Sequence, residues 1–390
     1  MSLTVAWISD YPIEWMPDLP PALRALPRQH PASWMAVLLG ELETNPDLKL
    51  YILVLRRHIE TDYEFEKRGV RFHVLNVPGV WRAPSLFWVD TLVIRRALKR
   101  IRPDVVHAWG SERGCGIIAS RLGCPYLVTM QGILTWYRER VPLGAYQKLV
   151  AFLEAVSLRR APLVTTESRF AVEYLRRRYP ELAVRQIEHA PHWVFHHSPR
   201  HPQTRPIRFI TGSLSYRKGS DLLLRALNEL RTELDFELVV VGERNQSLFN
   251  SLSGAISPEL ERRIRFKTDL LPAEVALELS TATIMVLPTR ADTSPNSVKE
   301  AVVAGVPVIA SRVGGIPDYV VSEKNGLLFG SENLLELVQT IRTACRHPLF
   351  GQGLVDAATL AQMREYLSPA LMGGRFTEVY RFLAANKGTL

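Results

Sequence analysis

The chain has 390 residues, 47% of them hydrophobic and 22% charged, which is apolar material for two packed domains and too much for a disordered chain. Three scattered cysteines (Cys115, Cys124, Cys345) exclude a disulfide framework, and no apolar run approaches the ~18 residues of a membrane-spanning helix. The net charge of +9 is lopsided: residues 1–200 carry 27 Lys and Arg against 19 Asp and Glu, residues 201–390 carry 21 against 20.

Residues 3–8 form the first predicted strand, and Asp10 follows too soon for a signal peptide, so a cytoplasmic chain is expected. Further strand-like runs cover 48–55, 70–75, 105–108, 126–129 and 163–166. Helical periodicity covers 33–42, 88–101, 113–122, 143–158 and 170–179. Strands that are apolar on both faces and alternate with helices predict a parallel sheet covered on both sides. The stretch HHSPRHPQTRP, residues 196–206, has three prolines and no period, and reads as a linker. Beyond it the alternation restarts, with strands at 207–211, 236–241, 283–287 and 307–310 and helices at 220–230, 272–279 and 297–304. A helical tail over 356–383 fits either half. The predicted fold is α/β, with two Rossmann-like domains over 1–200 and 201–365 and a C-terminal helix over 366–390 that crosses back to the first. Ligands are expected beyond the carboxyl ends of the strands, with the two parallel sheets facing across a cleft.

The chemistry concentrates in residues 286–320, VLPTRADTSPNSVKEAVVAGVPVIASRVGGIPDYV. Asp292 and Glu300 stand eight apart, and Ser294, Pro295, Asn296 and Ser297 lead into a helix whose free amides suit a phosphate. Glu300, near the first turn, is placed to accept hydrogen bonds from a diol such as a ribose. A second site lies at GSLSYRKGSDLLL, where Gly212 and Gly219 bracket Arg217 and Lys218, two cations suited to a diphosphate. Read locally, each of these groups is also compatible with a solvated face.

Together these residues resemble family 4 of the retaining glycosyltransferases, whose two-domain arrangement is called GT-B. Gly212-Ser213-Leu214, Lys218-Gly219, the Asp292/Glu300 pair, Gly305-Val306-Pro307-Val308 and Gly314-Gly315 keep the family's order over residues 212–326. The resemblance implies that Lys218 neutralises the donor diphosphate, Glu300 holds the ribose hydroxyls and Asp292 contacts the donor sugar. Backbone amides from Ser294 to Ser297 would cradle sugar and phosphate. It further implies transfer of a glycosyl unit from a UDP- or GDP-sugar to a hydroxyl with retention, without a metal cofactor, the leaving phosphate taking the acceptor proton. Ser213 stands where the family has Arg, so Arg217 is the substitute cation.

The first half departs further from the family. Residues 9–30 hold five prolines and no glycine in place of a glycine-rich loop, and the next helix is expected to start around Pro31. Gln131 occupies the position of a family His near the reacting face; its amide can hydrogen-bond but cannot act as acid or base. His107 matches the first His of an H-x-H element, with Trp109 in place of the second. The resemblance makes this half the acceptor domain, with His107, Trp136 and Tyr137 on the acceptor side. Aromatics beside cations (Trp81, Arg82, Phe87, Trp88; Trp136, Tyr137, Arg138, Arg140) are either core residues or anchors at an anionic membrane. The expected partners are a nucleotide-sugar donor and a carbohydrate or lipid-linked acceptor, with peripheral association at the inner face of the membrane.

Five of the ten histidines (His189, His192, His196, His197, His201) cluster, yet the intervening prolines deny them a fixed geometry, and no metal site is expected. Nucleic acid is excluded as a partner for want of a recognition module. A dinucleotide-dependent oxidoreductase is excluded because no G-x-G-x-x-G follows either domain's first strand. A nucleotide-sugar epimerase would bind the same ligand without an acceptor. The remaining alternative is a degenerate homologue that binds a nucleotide sugar or glycan without turnover, motivated by Ser213 and Gln131.

Overall fold

In the computed structural model, residues 2–27, 32–57 and 59–386 are described. The expected helix start at Pro31 lies outside them; the helix itself runs Ser33–Leu42. The chain divides into two compact units, Met1–His189 with Pro369–Leu390, and Ala190–Ser368.

In the first unit the strands are β1 (Leu3–Ser9), β2 (Leu48–Arg56), β3 (Tyr63–Lys67), β4 (Val70–Asn76), β5 (Val105–Trp109), β6 (Tyr126–Thr129), β7 (Val164–Thr166) and β8 (Val184–Gln186). They lie in the order β3-β4-β2-β1-β5-β6-β7-β8, all neighbours parallel except β3 and β4. All five residues of β5 are buried, as helices on both faces require. The edge strand β3 has no apolar run for sequence reading to find; its Glu64 and Glu66 point outward and blunt the edge. The tail is two helices, Ala357–Tyr366 and Pro369–Ala385, because Pro369 has no N–H with which to continue the first. Pro369–Ala385 packs on the first sheet through Phe376 and Tyr380, and the Tyr380 hydroxyl accepts from Trp7 Nε1 at 3.1 Å.

The second unit holds β9 (Ile207–Thr211), β10 (Phe236–Val241), β11 (Ile264–Lys267), β12 (Ile284–Leu287), β13 (Val308–Ser311) and β14 (Gly326–Phe329). Their order is β11-β10-β9-β12-β13-β14, parallel throughout. One core packs Leu223, Leu227 and Ile341 against Phe209 and Phe236; another packs Val298, Val302 and Phe195 against Met285 and Tyr319.

The segment 196–206 is not a loose linker. Phe195 is buried in the second unit, and the Arg200 guanidinium donates to the carbonyls of Leu279, Ser280 (3.1 Å), Ala282 (2.7 Å) and Gly353 (2.6 Å). Its polar composition serves to satisfy buried carbonyls. The division therefore falls before it, between His189 and Ala190.

In each sheet the chain order reverses beside the first strand of the unit. From β1 it proceeds outward through β2 and later returns on the other side at β5; from β9 it proceeds through β10 and returns at β12. Such reversals leave a crevice at the carboxyl ends of the two strands, where loops diverge.

Candidate active site

The second unit brings its site together at the β9/β12 reversal. The loop after β9 ends at Gly219, with φ +67°, where a Cβ would stand 1.8 Å from the Pro288 carbonyl oxygen. Only glycine lets the loop lie against the end of β12. Arg290 N donates to Arg217 O at 2.8 Å, and Thr289 Oγ1 donates to the same oxygen at 3.0 Å. The buried Arg290 guanidinium forks onto Asp221 (2.7 and 2.9 Å), donates to Tyr216 O (2.6 Å) and Glu332 (3.0 Å), and stacks 3.9 Å from the Tyr216 ring centroid. Although burial opposes it, hydrogen bonding from Arg290 holds the Asp221 carboxyl below its usual range.

With both loops fixed, Lys218 Nζ lies 2.5 Å from Asp292 Oδ2, and Arg217 Nη1 lies 3.4 Å from the same oxygen and 2.8 Å from Ala291 O. Two cations thus converge on one buried carboxylate and leave an excess positive charge. Next to them starts the helix Asn296–Ala304, capped by Pro295, whose first-turn amides at Asn296 and Ser297 have no acceptor inside the helix. The approach is pinned by Ser294 Oγ with Tyr319 OH (2.8 Å) and by Gly315 N donating to Thr293 O (3.0 Å). A dipole end beside two cations is an arrangement for an anion. Glu300 sits on this helix, partly exposed, its carboxyl pushed up to about 7 by burial against the opposing pull of Lys299. Gly212 ends β9 in open space, and the neighbouring Ser213 lies against Gly242, where a Cβ would be 2.9 Å from Ser213 Cα.

On the first unit the predicted residues separate. His107 is fully buried, with Nδ1 hydrogen-bonded to Tyr380 OH (2.7 Å) and Nε2 to Thr129 Oγ1 (2.6 Å). Burial, then the nearby His189, pushes its pKa well below the usual value. Strand alternation turns this ring, expected on the acceptor side, to the face covered by Pro369–Ala385, where it packs as a core residue. Trp136, expected on the acceptor side, is 3% exposed and packs on Phe170 with ring centroids 4.6 Å apart. Gln131 and Tyr137 are partly exposed, just past β6.

Sequence reading missed two acids here. Glu154, fully buried, accepts from Ser111 Oγ (2.5 Å), Leu134 N (3.1 Å), and Thr135 N and Oγ1 (both 2.9 Å), and so anchors the helix Leu134–Arg140. Glu112 follows β5 at the reversal, and burial pushes its carboxyl up to about 7. The available signal was an acid three residues past the mostly apolar strand VVHAW.

The clustered histidines do not assemble: His189 belongs to the first unit and the other four to the second, where His192 Nδ1 caps the helix Trp193–His197 by accepting from Val194 N. Among the described residues no group of three or more His, Cys, Asp or Glu could hold a metal ion, and no helix is long and apolar enough to cross a membrane.

A family model described as "Glycosyl transferases group 1" matches residues 205–347, and one described as "Glycosyl transferase 4-like domain" matches residues 25–191. Glycogen synthase of Mycobacterium tuberculosis H37Rv is 27% identical over 66% of this chain and 64% of its own length, so the chain spans under two thirds of that relative. A GDP-mannose-dependent alpha-(1-6)-phosphatidylinositol monomannoside mannosyltransferase of Mycolicibacterium smegmatis is 34% identical over 31% of this chain and 34% of its own. Sucrose-phosphate synthase from Thermosynechococcus elongatus superposes with a TM-score of 0.78 at 17% identity, covering 98% of this chain and 99% of that one. Anabaena HepE, solved with UDP and glucose, gives 0.69 at 15% identity over 98% and 100%. The fold is the α/β GT-B fold of two Rossmann-like domains.

Proposed function

Because the chain belongs to the group 1, family 4 glycosyltransferases, we propose that it transfers a sugar from a UDP- or GDP-sugar to a hydroxyl, with retention of anomeric configuration. The acceptor is a carbohydrate or a lipid-linked sugar, and the setting is polysaccharide or glycolipid biosynthesis on the cytoplasmic side, peripheral to the membrane. The observation that carries this reading is the convergence of Lys218, Arg217 and the amide end of Asn296–Ala304 beside Asp292.

Breaking the anomeric bond sends negative charge onto the leaving diphosphate. Lys218 and Arg217 are held by the Arg290 contacts before substrate arrives, so stabilising that charge needs little reorganisation. In the free site Asp292 occupies the cations; a diphosphate competes for them and leaves the carboxylate to a donor-sugar hydroxyl. Glu300 accepts from the ribose diol. The leaving phosphate oxygen takes the acceptor proton on the face of departure, so no protein base is required, and neither is a metal. The relative from Mycolicibacterium is named for GDP-mannose and HepE was solved with UDP-glucose, which supports a nucleotide-sugar donor of one of these two bases.

The test is Lys218→Ala assayed with UDP-glucose and GDP-mannose in chelator. Loss of one preorganised charge is expected to cut transfer by about 10²–10³-fold with the fold intact. Unchanged turnover removes the assignment. Ser213 and Gln131 favour the second reading, a binding protein without turnover; it predicts nucleotide-sugar binding by the unaltered chain and no nucleotide release.

A further inference from the structure

Resting on that reading, we propose that Lys299 is a positioning residue of the donor site, a buried cation that holds Tyr319 against Ser294 and acts through space on Glu300. The transfer step itself makes no use of this lysine. Lys299 lies near the start of the helix Asn296–Ala304, and its side chain is fully buried, as is that of Tyr319. Lysine is almost never withdrawn from water entirely unless surrounding groups compensate its charge. Its buried companions on this helix include Val298, Ala301 and Val302, all apolar. A core of that kind asks for an apolar side chain at 299 and receives an ammonium.

The ammonium has something to hold. Lys299 Nζ lies 5.9 Å from the centroid of the Tyr319 ring, within reach of a cation–π attraction that burial strengthens. The Tyr319 hydroxyl is hydrogen-bonded to Ser294 Oγ at 2.8 Å, and its backbone carbonyl accepts from Asn325 Nδ2 at 2.9 Å. Asn325 Oδ1 in turn accepts from Val321 N at 2.7 Å. Tyr319 therefore bridges the Ser294 loop and the turn before β14, with the cation beside its ring. Ser294 leads into the amides of Asn296 and Ser297, so a shift of the ring displaces the anion seat. The same charge reaches Glu300, the next residue, whose carboxyl burial raises and Lys299 draws back. The helices Trp193–His197, Pro272–Thr281 and Ala357–Tyr366 pack against Asn296–Ala304 and carry further charged groups. His196 is kept neutral by burial, which lowers its pKa to about 4; Arg364 donates to Val303 O at 2.8 Å, and Glu278 is engaged by Arg208 and Lys267. His197, Glu274 and Glu365 are exposed, and Asp318 adjoins Tyr319 along the chain. Among these groups Lys299 is the one that acts on the Glu300 charge.

The experiment is calorimetric titration of UDP-glucose, with GDP-mannose as the alternative donor, into the unaltered chain and its variants from about pH 5 to about pH 9. Lys299→Met keeps the length of the side chain and removes its charge, so the free Glu300 carboxyl should hold its proton to higher pH. The rise of affinity with pH should then move up by about one unit, with binding near neutrality up to about tenfold weaker. Lys299→Arg, which retains a cation, should return the midpoint to its place. Tyr319→Phe keeps the ring and loses the bond to Ser294; it should weaken binding about fivefold at every pH with the midpoint unmoved. Thermal unfolding of each variant shows which of them fold. An unmoved midpoint in folded Lys299→Met overturns the proposal, as does a flat profile in the unaltered chain. Binding by Tyr319→Phe equal to that of the unaltered chain overturns it even where Lys299→Met fails to fold. No binding of either nucleotide sugar by the unaltered chain removes the donor reading and the role of the lysine with it; binding with an unmoved midpoint removes the role of the lysine alone.

Discussion

Glu300 combines two properties that a ribose-binding acid needs, a place on the helix that begins at the phosphate-suited amides and a carboxyl whose charge is costly until a ligand supplies hydrogen bonds. In the free chain its pKa is about 7, with burial the main cause. Diol hydrogen bonds favour the carboxylate and so lower that pKa in the complex. The complex then binds fewer protons than the free chain, and affinity must rise with pH up to about 7 and level off above it. If the ligand weakens proton binding by about tenfold, its own affinity at the acid end is about tenfold below the plateau. UDP-glucose is the ligand to use, since its diphosphate diester does not titrate near neutrality. Calorimetry between about pH 5 and about pH 8 should show this slope in the unaltered chain and a flat profile in Glu300→Gln. An unchanged slope in the variant would assign the linkage to another group.

At the scale of elements, the proposed donor site rests on two loops joined by the Arg290 guanidinium and by the Arg290 N and Thr289 Oγ1 bonds to Arg217 O. Arg290→Ala removes a fork to Asp221, leaves that carboxylate mostly buried, and loosens the loop carrying Lys218. We expect a stability loss of about 3 kcal/mol in denaturant titrations. Nucleotide-sugar binding should weaken together with it, because the loop carrying Arg217 and Lys218 loses the tie at Tyr216 O and keeps only those at Arg217 O. Arg290→Lys should restore little, as a single ammonium cannot reproduce the fork. Full affinity in Arg290→Ala would show that the loop holds itself. This dependence also explains what the sequence could reveal. Lys218, Asp292 and Glu300 could be put forward from the sequence because each lies in a local strand-loop-helix pattern; Arg290 could not, because Asp221 is 69 residues away along the chain. Strands β6, β9 and β10 were readable to the residue as mostly apolar runs, whereas β3, β8 and β11 are short or alternate with polar residues and β14 opens on Gly326. The predicted helix at 143–158 is Ala145–Leu158, and the helix Leu134–Arg140, set apart from it by Pro142 and Gly144, was not predicted. The burial of His107 was not legible, because a motif match carries no information about which sheet face a strand residue occupies.

For the whole molecule, the question is what the excess positive charge of residues 1–200 serves. Trp81, Leu86, Trp88 and Leu92 are exposed, at 62, 41, 48 and 59%, while Phe87 between them is buried. Arg121 lies 4.3 Å over the Trp88 ring and donates to Leu86 O at 2.7 Å, and Arg95 donates to Arg121 O at 2.5 Å. Apolar rings interleaved with guanidiniums are suited to the boundary between headgroups and acyl chains, where each cation contributes about 1 kcal/mol at an anionic surface. In the other part of the aromatic pattern Trp136 is buried, so its ring contributes nothing to such a surface. The prediction is flotation with vesicles containing phosphatidylglycerol and none with phosphatidylcholine alone, weakening as salt is raised. The double substitution Trp81→Ser, Trp88→Ser should reduce flotation about tenfold and leave thermal stability nearly unchanged, since both rings are exposed. Equal flotation on both vesicle types would leave the apolar residues as the cause without the charge. Absence from both would detach the basic half from membranes and leave a dissolved sugar as the acceptor.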